Sequence, residues 1–213
     1  MDVKEEAMVA FEQFDVRKQR ETPQGADLPQ ASVLVPLFVK NGKIHTLMTK
    51  RSDQLRTSAG EVCFPGGKRD PSDEDDVQTA LREAQEEIGL PPGDVHVICT
   101  LQPVISKNGL LVTPVVGFIP ESFQARPNPA EVSAVFAAPL ELFVGPFVAG
   151  ETASWVSFDF VEPDTGVKYR IWGLTAMVAL VVAAIALKTK DDGFNVEDLM
   201  LRLRQRMRAR SKL

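Results

Sequence analysis

The sequence predicts an α/β fold, and three stretches carry the prediction. Residues 32–40 are a β-rich apolar run that turns at Asn41-Gly42, a strong hairpin signal, and returns over 43–51 as a second strand with partial in–out alternation. Residues 64–90, FPGGKRDPSDEDDVQTALREAQEEIGL, open on a Pro-Gly-Gly turn, cross an acidic loop and continue as a helix. Residues 171–187, IWGLTAMVALVVAAIAL, carry no charge and have the small side chains of a helix buried against a sheet.

Bulk properties narrow the class. A length of 213 residues argues for one domain with appendages and is enough to bury a substantial core. Hydrophobic content of 44% and charged content of 25% are those of a soluble globular chain. A net charge of −5 argues against a nucleic-acid-binding surface over the whole protein. Cys63 and Cys99 make no disulfide framework, which fits a reducing compartment, and Cys63 reads as a structural thiol. His45 and His96 stand at no metal-ligand spacing, so zinc and Ser-His-Asp chemistry are disfavoured.

In chain order, residues 1–31 form an N-terminal unit. Up to about residue 20 a charged, mildly amphipathic helix is expected, with Met8, Val9, Phe11, Phe14 and Val16 on its apolar side; it is not a secretory signal. Residues 21–31 are a Pro/Gly-rich link, and the main domain is expected over 32–190. Residues 51–67, RSDQLRTSAGEVCFPGG, lack periodicity and read as a loop. It is either solvated or substrate-facing, since Arg51 and Arg56 carry donors suited to phosphate.

Pro91-Pro92-Gly93 is expected to stop the central helix. Strands follow over 94–103 and 110–119, joined through Ser106-Lys107-Asn108-Gly109, with 115–119 central in the sheet. Glu131 sits where the loop 120–131 gives way to another strand, 132–140; a surface Glu at a strand start is an equally good reading. A short helix over 140–143 and a hairpin over 144–168, turning at Asp164-Thr165-Gly166, come next. The uncharged run 171–187 falls short of the roughly 20 residues a membrane span needs, and no span is expected. Residues 191–213 hold a last helix, 194–210, and end in Ser211-Lys212-Leu213, a receptor-read peroxisomal address.

The candidate chemistry lies on the central helix. Glu83 and Glu87 stand one turn apart, and Glu83 and Glu86 are also neighbours. Three carboxylates this close stay ionised at neutral pH only with a cation among them, and hard oxygen donors suit Mg2+ or Mn2+. Arg82 can reach Glu86 at i+4, and Gly66-Gly67 let the backbone turn tightly and approach a ligand. The plainer alternative is an ordinary exposed helix face.

The string Arg82, Glu83, Ala84, Gln85, Glu86, Glu87, Ile88, Gly89, Leu90 resembles the Nudix hydrolase signature. The pattern's leading Gly falls on Lys68, so the loop after Gly67 is one residue longer than usual; its loop Glu falls on Glu74, with Asp73 the alternative. The preceding stretch is similar to the element before that signature in coenzyme A diphosphatases. The match runs through Leu47, Thr49, Arg51, Ser52, Leu55, Arg56, Gly60, Phe64, Pro65, Gly66 and Gly67.

The resemblance implies a Nudix fold, a mixed β-sheet sandwiched between helices. It implies hydrolysis of the diphosphate of coenzyme A and acyl-coenzyme A, giving adenosine 3',5'-bisphosphate and 4'-phosphopantetheine or its acyl form. Glu83, Glu86, Glu87 and the Gly67 carbonyl would hold the metal. Glu83 and Glu131 compete as general base, and Arg82 orients Glu86. Arg51, Ser52, Arg56, Phe64, Gly66, Gly67 and Lys68 would face substrate, with Arg51 and Arg56 on its phosphates, including the 3'-phosphate of coenzyme A, and Lys68 and Arg69 the weaker candidates. The family includes peroxisomal members, so the C-terminal tripeptide implies a peroxisomal location and an import receptor as partner. Two alternatives stand beside this: hydrolysis of another dinucleotide such as ADP-ribose or NADH, and a catalytically silent binding module, whose mark would be loss of the helix carboxylates.

Overall fold

The computed structural model describes residues 2–18, 27–144 and 156–187. The helix expected over 194–210 and the terminal tripeptide lie outside the described residues. The first element is α1 (Val3–Phe11), opened by a capping box in which Asp2 and Glu5 each accept the other's backbone N–H. It is shorter than expected, because two 3-10 turns, Glu12–Phe14 and Val16–Lys18, replace its second half. Asp15 pins those turns to the sheet by accepting the Thr100 N–H at 3.1 Å and the Arg17 guanidinium at 2.8 Å.

An eight-stranded mixed sheet is built around β1 (Gln30–Lys40). β1 returns through Asn41-Gly42, both with positive φ (52° and 73°), into antiparallel β2 (Lys43–Arg51). Only residues 37–40 and 43–46 of the two strands pair. Beyond them the strands diverge, and the fork receives two short strands. β3 (Val62–Cys63) pairs with β2, and β4 (Gly66–Lys68) pairs with β1. The stretch 51–67 is therefore only partly loop; strands of two and three residues are too short to show alternation in a sequence.

On the other side of β1 runs parallel β7 (Leu111–Phe118), and β5 (His96–Thr100) and β6 (Val104–Ile105) pair antiparallel with it. β8 (Val132–Pro139) closes the far side of β2. Every residue of β7 is buried, which explains its continuous apolar run.

Both sheet faces are covered. Alternation along β1 sends Leu34 and Phe38 towards α2 (Asp76–Ile88), where they meet Ala80, Ala84 and Ile88. Val35 and Leu37 point the other way, into a core shared with Phe11 of α1 and with α3 (Gly173–Ala186). That second face also carries the expected hairpin, β9 (Ser157–Val161) and β10 (Lys168–Trp172), whose Tyr169 ring stacks on Phe136 with centroids 3.8 Å apart. Ile171 and Trp172 belong to β10 rather than to the helix. No described helix is long and apolar enough to cross a membrane.

The central helix is held at both ends. Asp75 caps the Gln78 N–H at 2.8 Å, and Asp76 accepts Ser32 Oγ at 3.2 Å and Thr113 Oγ1 at 3.1 Å, tying α2 to β1 and β7. Its stop is Gly89, not Pro91-Pro92-Gly93: Gly89 adopts φ 70° and donates to the carbonyls of Ala84 and Gln85. Residues 92–94 form a separate 3-10 turn. A Cβ at Gly66 would stand 2.3 Å from the Ser32 carbonyl oxygen and 2.6 Å from Val33 Cα. Both are backbone atoms of the central strand, so Gly66→Ala is expected to lower stability by about 2 kcal/mol or more, measured by chemical denaturation.

Candidate active site

β4 brings a side-chain-free stretch of backbone onto α2. The Gly66 N–H donates to Glu87 Oε2 at 3.1 Å. A Cβ on Gly67 would stand 2.4 Å from the carboxyl carbon of Glu83 and 2.5 Å from both its oxygens. The two glycines therefore let two carboxylates lie directly against the strand, a closeness that any side chain at 67 would prevent. Glu87 is buried and Glu83 is 15% exposed at its side chain, whereas the Glu86 side chain is 55% exposed. Helix geometry explains the split. Successive residues are about 100° apart around the axis, so Glu87 lies about 40° from Glu83 on one side and Glu86 about 60° on the other, about 100° from Glu87. The expected trio resolves into an inner pair and an outer member.

Arg82 differs from expectation in its main partner. It donates two bonds to Asp73, Nε to Oδ1 at 3.0 Å and Nη2 to Oδ2 at 2.9 Å. It donates another to Glu83 Oε1 at 2.9 Å and one to the Lys68 carbonyl at 3.1 Å. Glu86 is reached only at 3.4 Å. A planar guanidinium matches a carboxylate in two parallel bonds, and Asp73 offers that geometry while a neighbour one turn along does not. Asp73 is buried and also accepts Thr79 Oγ1 at 2.9 Å, so its carboxyl is held well below the usual range, with Arg82 as chief cause. Of the two loop candidates, Glu74 stays exposed and Asp73 is committed to Arg82. Sequence reading gave Asp73 no such role, because the pairing crosses a loop of irregular length.

A chain of backbone bonds brings the loop 120–131 to the same place. Asn128 N–H donates to the Glu87 carbonyl at 2.8 Å, Glu131 N–H to the Asn128 carbonyl at 3.0 Å, and Ser52 N–H to the Glu131 carbonyl at 2.8 Å. Glu131 is thereby set beside the end of α2 and the end of β2, and its charge acts on both Glu83 and Glu87.

The other expected substrate-facing residues divide. Arg51 is half-buried, with its Nε enclosed and without a hydrogen-bond partner, and its charge acts on Glu87. Arg56 and Lys68 are exposed. Ser52 is buried, and its hydroxyl accepts the Gln54 N–H at 3.4 Å as part of a turn. Phe64 is 2% exposed and packs in the core with Val62, so its ring does not face a ligand. The apolar alternation across β3 accounts for this: Val62 and Phe64 point inward while Cys63 between them does not. Arg69 is tied up by Gln30 Oε1 at 3.0 Å and by the carbonyls of Asp73 and Glu74 at 3.2 and 2.6 Å. Burial pushes the Cys63 thiol up to about 11, so it is no nucleophile.

Burial pushes the Glu87 carboxyl up to about 7, and the charges of Glu83 and Glu131 act the same way, against the opposing Gly66 N–H and Arg51. Glu83 is also raised, again mainly by burial, with Arg82 opposing and Glu86 and Glu131 adding to the rise. Among the described residues, no group of three His, Cys, Asp or Glu side chains stands ready-made as a metal cage. The donor set nonetheless fits a hard divalent cation. Two carboxylates, each raised by burial and by neighbouring negative charge, lie against a glycine backbone, and all the donors are oxygen.

Without a cation, Glu87 has a folded pKa of about 7 against an ordinary 4.5. Its contribution is fully present below pH 4.5 and is lost as pH rises through 7. Metal-free protein is therefore expected to lose up to roughly 3 kcal/mol from this group between pH 4.5 and 8. Glu87→Gln should lack that component, so that variant and parent diverge in urea midpoint as pH rises.

Comparison with known proteins gives the family of the chain. The NUDIX domain model matches residues 28–170. The chain is 50% identical over 165 residues to the peroxisomal coenzyme A diphosphatase NUDT7 of Mus musculus, covering 74% of this chain and 70% of that protein. It is 43% identical to Nudix hydrolase 15, mitochondrial, of Arabidopsis thaliana, covering 73% of this chain and 58% of the relative's own length. To the Nudix hydrolase NudL of Yersinia enterocolitica it is 37% identical over 78% of this chain and 88% of that one. Among solved structures, the Nudix hydrolase RenU from M. smegmatis aligns over 53% of this chain and 71% of its own, with 25% identity and a TM-score of 0.46. The chain belongs to the Nudix hydrolase family and is a hydrolase acting on diphosphates.

Proposed function

We propose that the protein hydrolyses the diphosphate of coenzyme A and acyl-coenzyme A in the presence of Mg2+ or Mn2+. The products are adenosine 3',5'-bisphosphate and 4'-phosphopantetheine or its acyl form. The observation that carries the reading is the contact of the Gly66-Gly67 backbone with Glu87 and Glu83. The segment leading into that contact, from Leu47 to Gly67, carries the pattern of coenzyme A diphosphatases. The Mus musculus relative, whose name carries that activity, supports the same substrate.

The residue roles are part of the same proposal. Glu83, Glu87 and the Gly67 carbonyl would be the inner ligands, and Glu86 would join from the exposed side. A divalent cation bound there supplies charge neutralisation at the diphosphate and makes water a better nucleophile. Arg82, braced by Asp73, holds Glu83 in place. Glu83 and Glu131 are the two groups available to take the proton of the attacking water. Arg51 and Arg56 supply positive charge on the substrate side.

The proposal extends to the compartment. Ser211-Lys212-Leu213 matches the tripeptide that the peroxisomal import receptor reads when it closes a chain. Relatives differ in compartment: the mouse protein is named peroxisomal, and the Arabidopsis proteins mitochondrial and chloroplastic. A fluorescent fusion ending in this tripeptide should enter peroxisomes.

The test of substrate is incubation with Mg2+ and coenzyme A, acetyl-coenzyme A, ADP-ribose and NADH, with product identification. Coenzyme A substrates are expected to give the highest kcat/KM, and Glu83→Gln or Glu87→Gln to lower it at least about 100-fold with the fold intact. Faster turnover of ADP-ribose or NADH would overturn the substrate, and full activity in either variant would overturn the site.

A further inference from the structure

Lys107 stands in the turn between β6 and β7, and the readings above give it no role. Its Nζ lies 3.0 Å from Glu61 Oε1 and 4.9 Å from the centre of the Trp172 ring in β10. Glu61 belongs to the segment that feeds the active site. Its carbonyl accepts the Arg51 N–H at 3.0 Å, which extends the β2–β3 ladder by one step. Strand alternation places Glu61 on the same side as Cys63, about 7 Å along the chain. The Cys63 thiol lies within reach of the charges of Glu87 and Arg51. Lys107 is therefore a cation on the Arg51 flank of the carboxylate pair, contributed by a different part of the chain.

A purely structural purpose accounts poorly for it. The Lys107 side chain is 47% exposed and that of Glu61 30%. An ion pair that open contributes about 0–1 kcal/mol. The joint between β3 and α3 is already made by Thr175 Oγ1, which donates to the Val62 carbonyl at 3.2 Å. Weak pairing has a different consequence. A dianionic phosphate competes readily with a single exposed carboxylate for an ammonium, and the Trp172 face keeps that ammonium from drifting into solvent. The contact is thus suited to exchange.

We propose that Lys107 is a specificity-determining residue that receives the 3'-phosphate of the substrate's ribose. Glu61 holds its ammonium in the free enzyme and is displaced by that phosphate, while Trp172 positions it. The assignment rests on the coenzyme A reading above. It adds to Arg51 and Arg56 a cation that a substrate lacking the 3'-phosphate would leave without a partner.

The test is steady-state kinetics of the full chain with Mg2+ at fixed ionic strength. Coenzyme A and coenzyme A lacking its 3'-phosphate are compared in parent, Lys107→Ala and Glu61→Gln. Lys107→Ala should lower the kcat/KM preference for the 3'-phosphorylated substrate about tenfold, one charged hydrogen bond's worth. Glu61→Gln should raise that preference, because it removes the competitor. A structural clasp predicts instead that the two variants fail together. An unchanged preference in Lys107→Ala, or one that does not rise in Glu61→Gln, overturns the assignment while leaving coenzyme A hydrolysis in place. Parent enzyme that hydrolyses neither substrate refutes the underlying reading and this inference with it.

Discussion

Burial of the Glu87 carboxylate is the constraint on which the rest of the site depends. An ionised carboxylate away from water is costly unless it is hydrogen-bonded and its charge is met. One bond comes from the Gly66 N–H, and Arg51 contributes charge from a distance. Glu83 and Glu131 act against it. The folded chain thus invests stability in holding negative charge together, a local conflict of the sort that marks a functional centre rather than a structural one.

The fork in the sheet makes this arrangement possible. β1 and β2 pair at the hairpin end and separate at the other, and the gap is filled by β3 and β4. That places a glycine pair, with no side chains in the way, over the turn of α2 that carries Glu83 and Glu87. The position of the helix is then fixed from three directions. Asp76 bonds to Ser32 and Thr113 below, Gly89 closes the C-terminal end, and the loop through Asn128 caps the Glu87 carbonyl. Arg82 and Asp73 complete the frame. Each is charged and each satisfies the other, so Glu83 is oriented by a guanidinium that is itself rigid.

Sequence reading reached the parts of this site that are local. Glu83, Glu86 and Glu87 follow from helix spacing, Gly66 and Gly67 from the need for close approach, and the Asn41-Gly42 hairpin from turn chemistry. The uncharged stretch from Ile171 reads as a buried helix, as found, though its first two residues, Ile171 and Trp172, finish β10. What escaped was non-local or directional. Asp73 meets Arg82 across nine positions and an atypical loop. The burial of Phe64 depends on which way the very short β3 faces, and that of Ser52 on the turn after β2; no motif encodes either. Gly89, nearer than the prolines, ends the helix because a left-handed residue can bond back to the last turn, and the proline signal masked it. Glu131 was placed by its strand start, but its neighbourhood is made by three backbone bonds spread over the chain.

We infer that a divalent cation, not proton uptake, reconciles Glu83 and Glu87 with burial. It is tested most directly by thermal unfolding at pH 8 across a range of Mg2+ concentrations, with parent and Glu87→Gln side by side. The parent Tm should climb with Mg2+ as a ligand-linked transition does, by about 2.7 kcal/mol of stabilisation at a hundredfold excess over Kd, and the variant should lose most of that climb. A parent Tm indifferent to Mg2+, or an equal climb in both proteins, would contradict it.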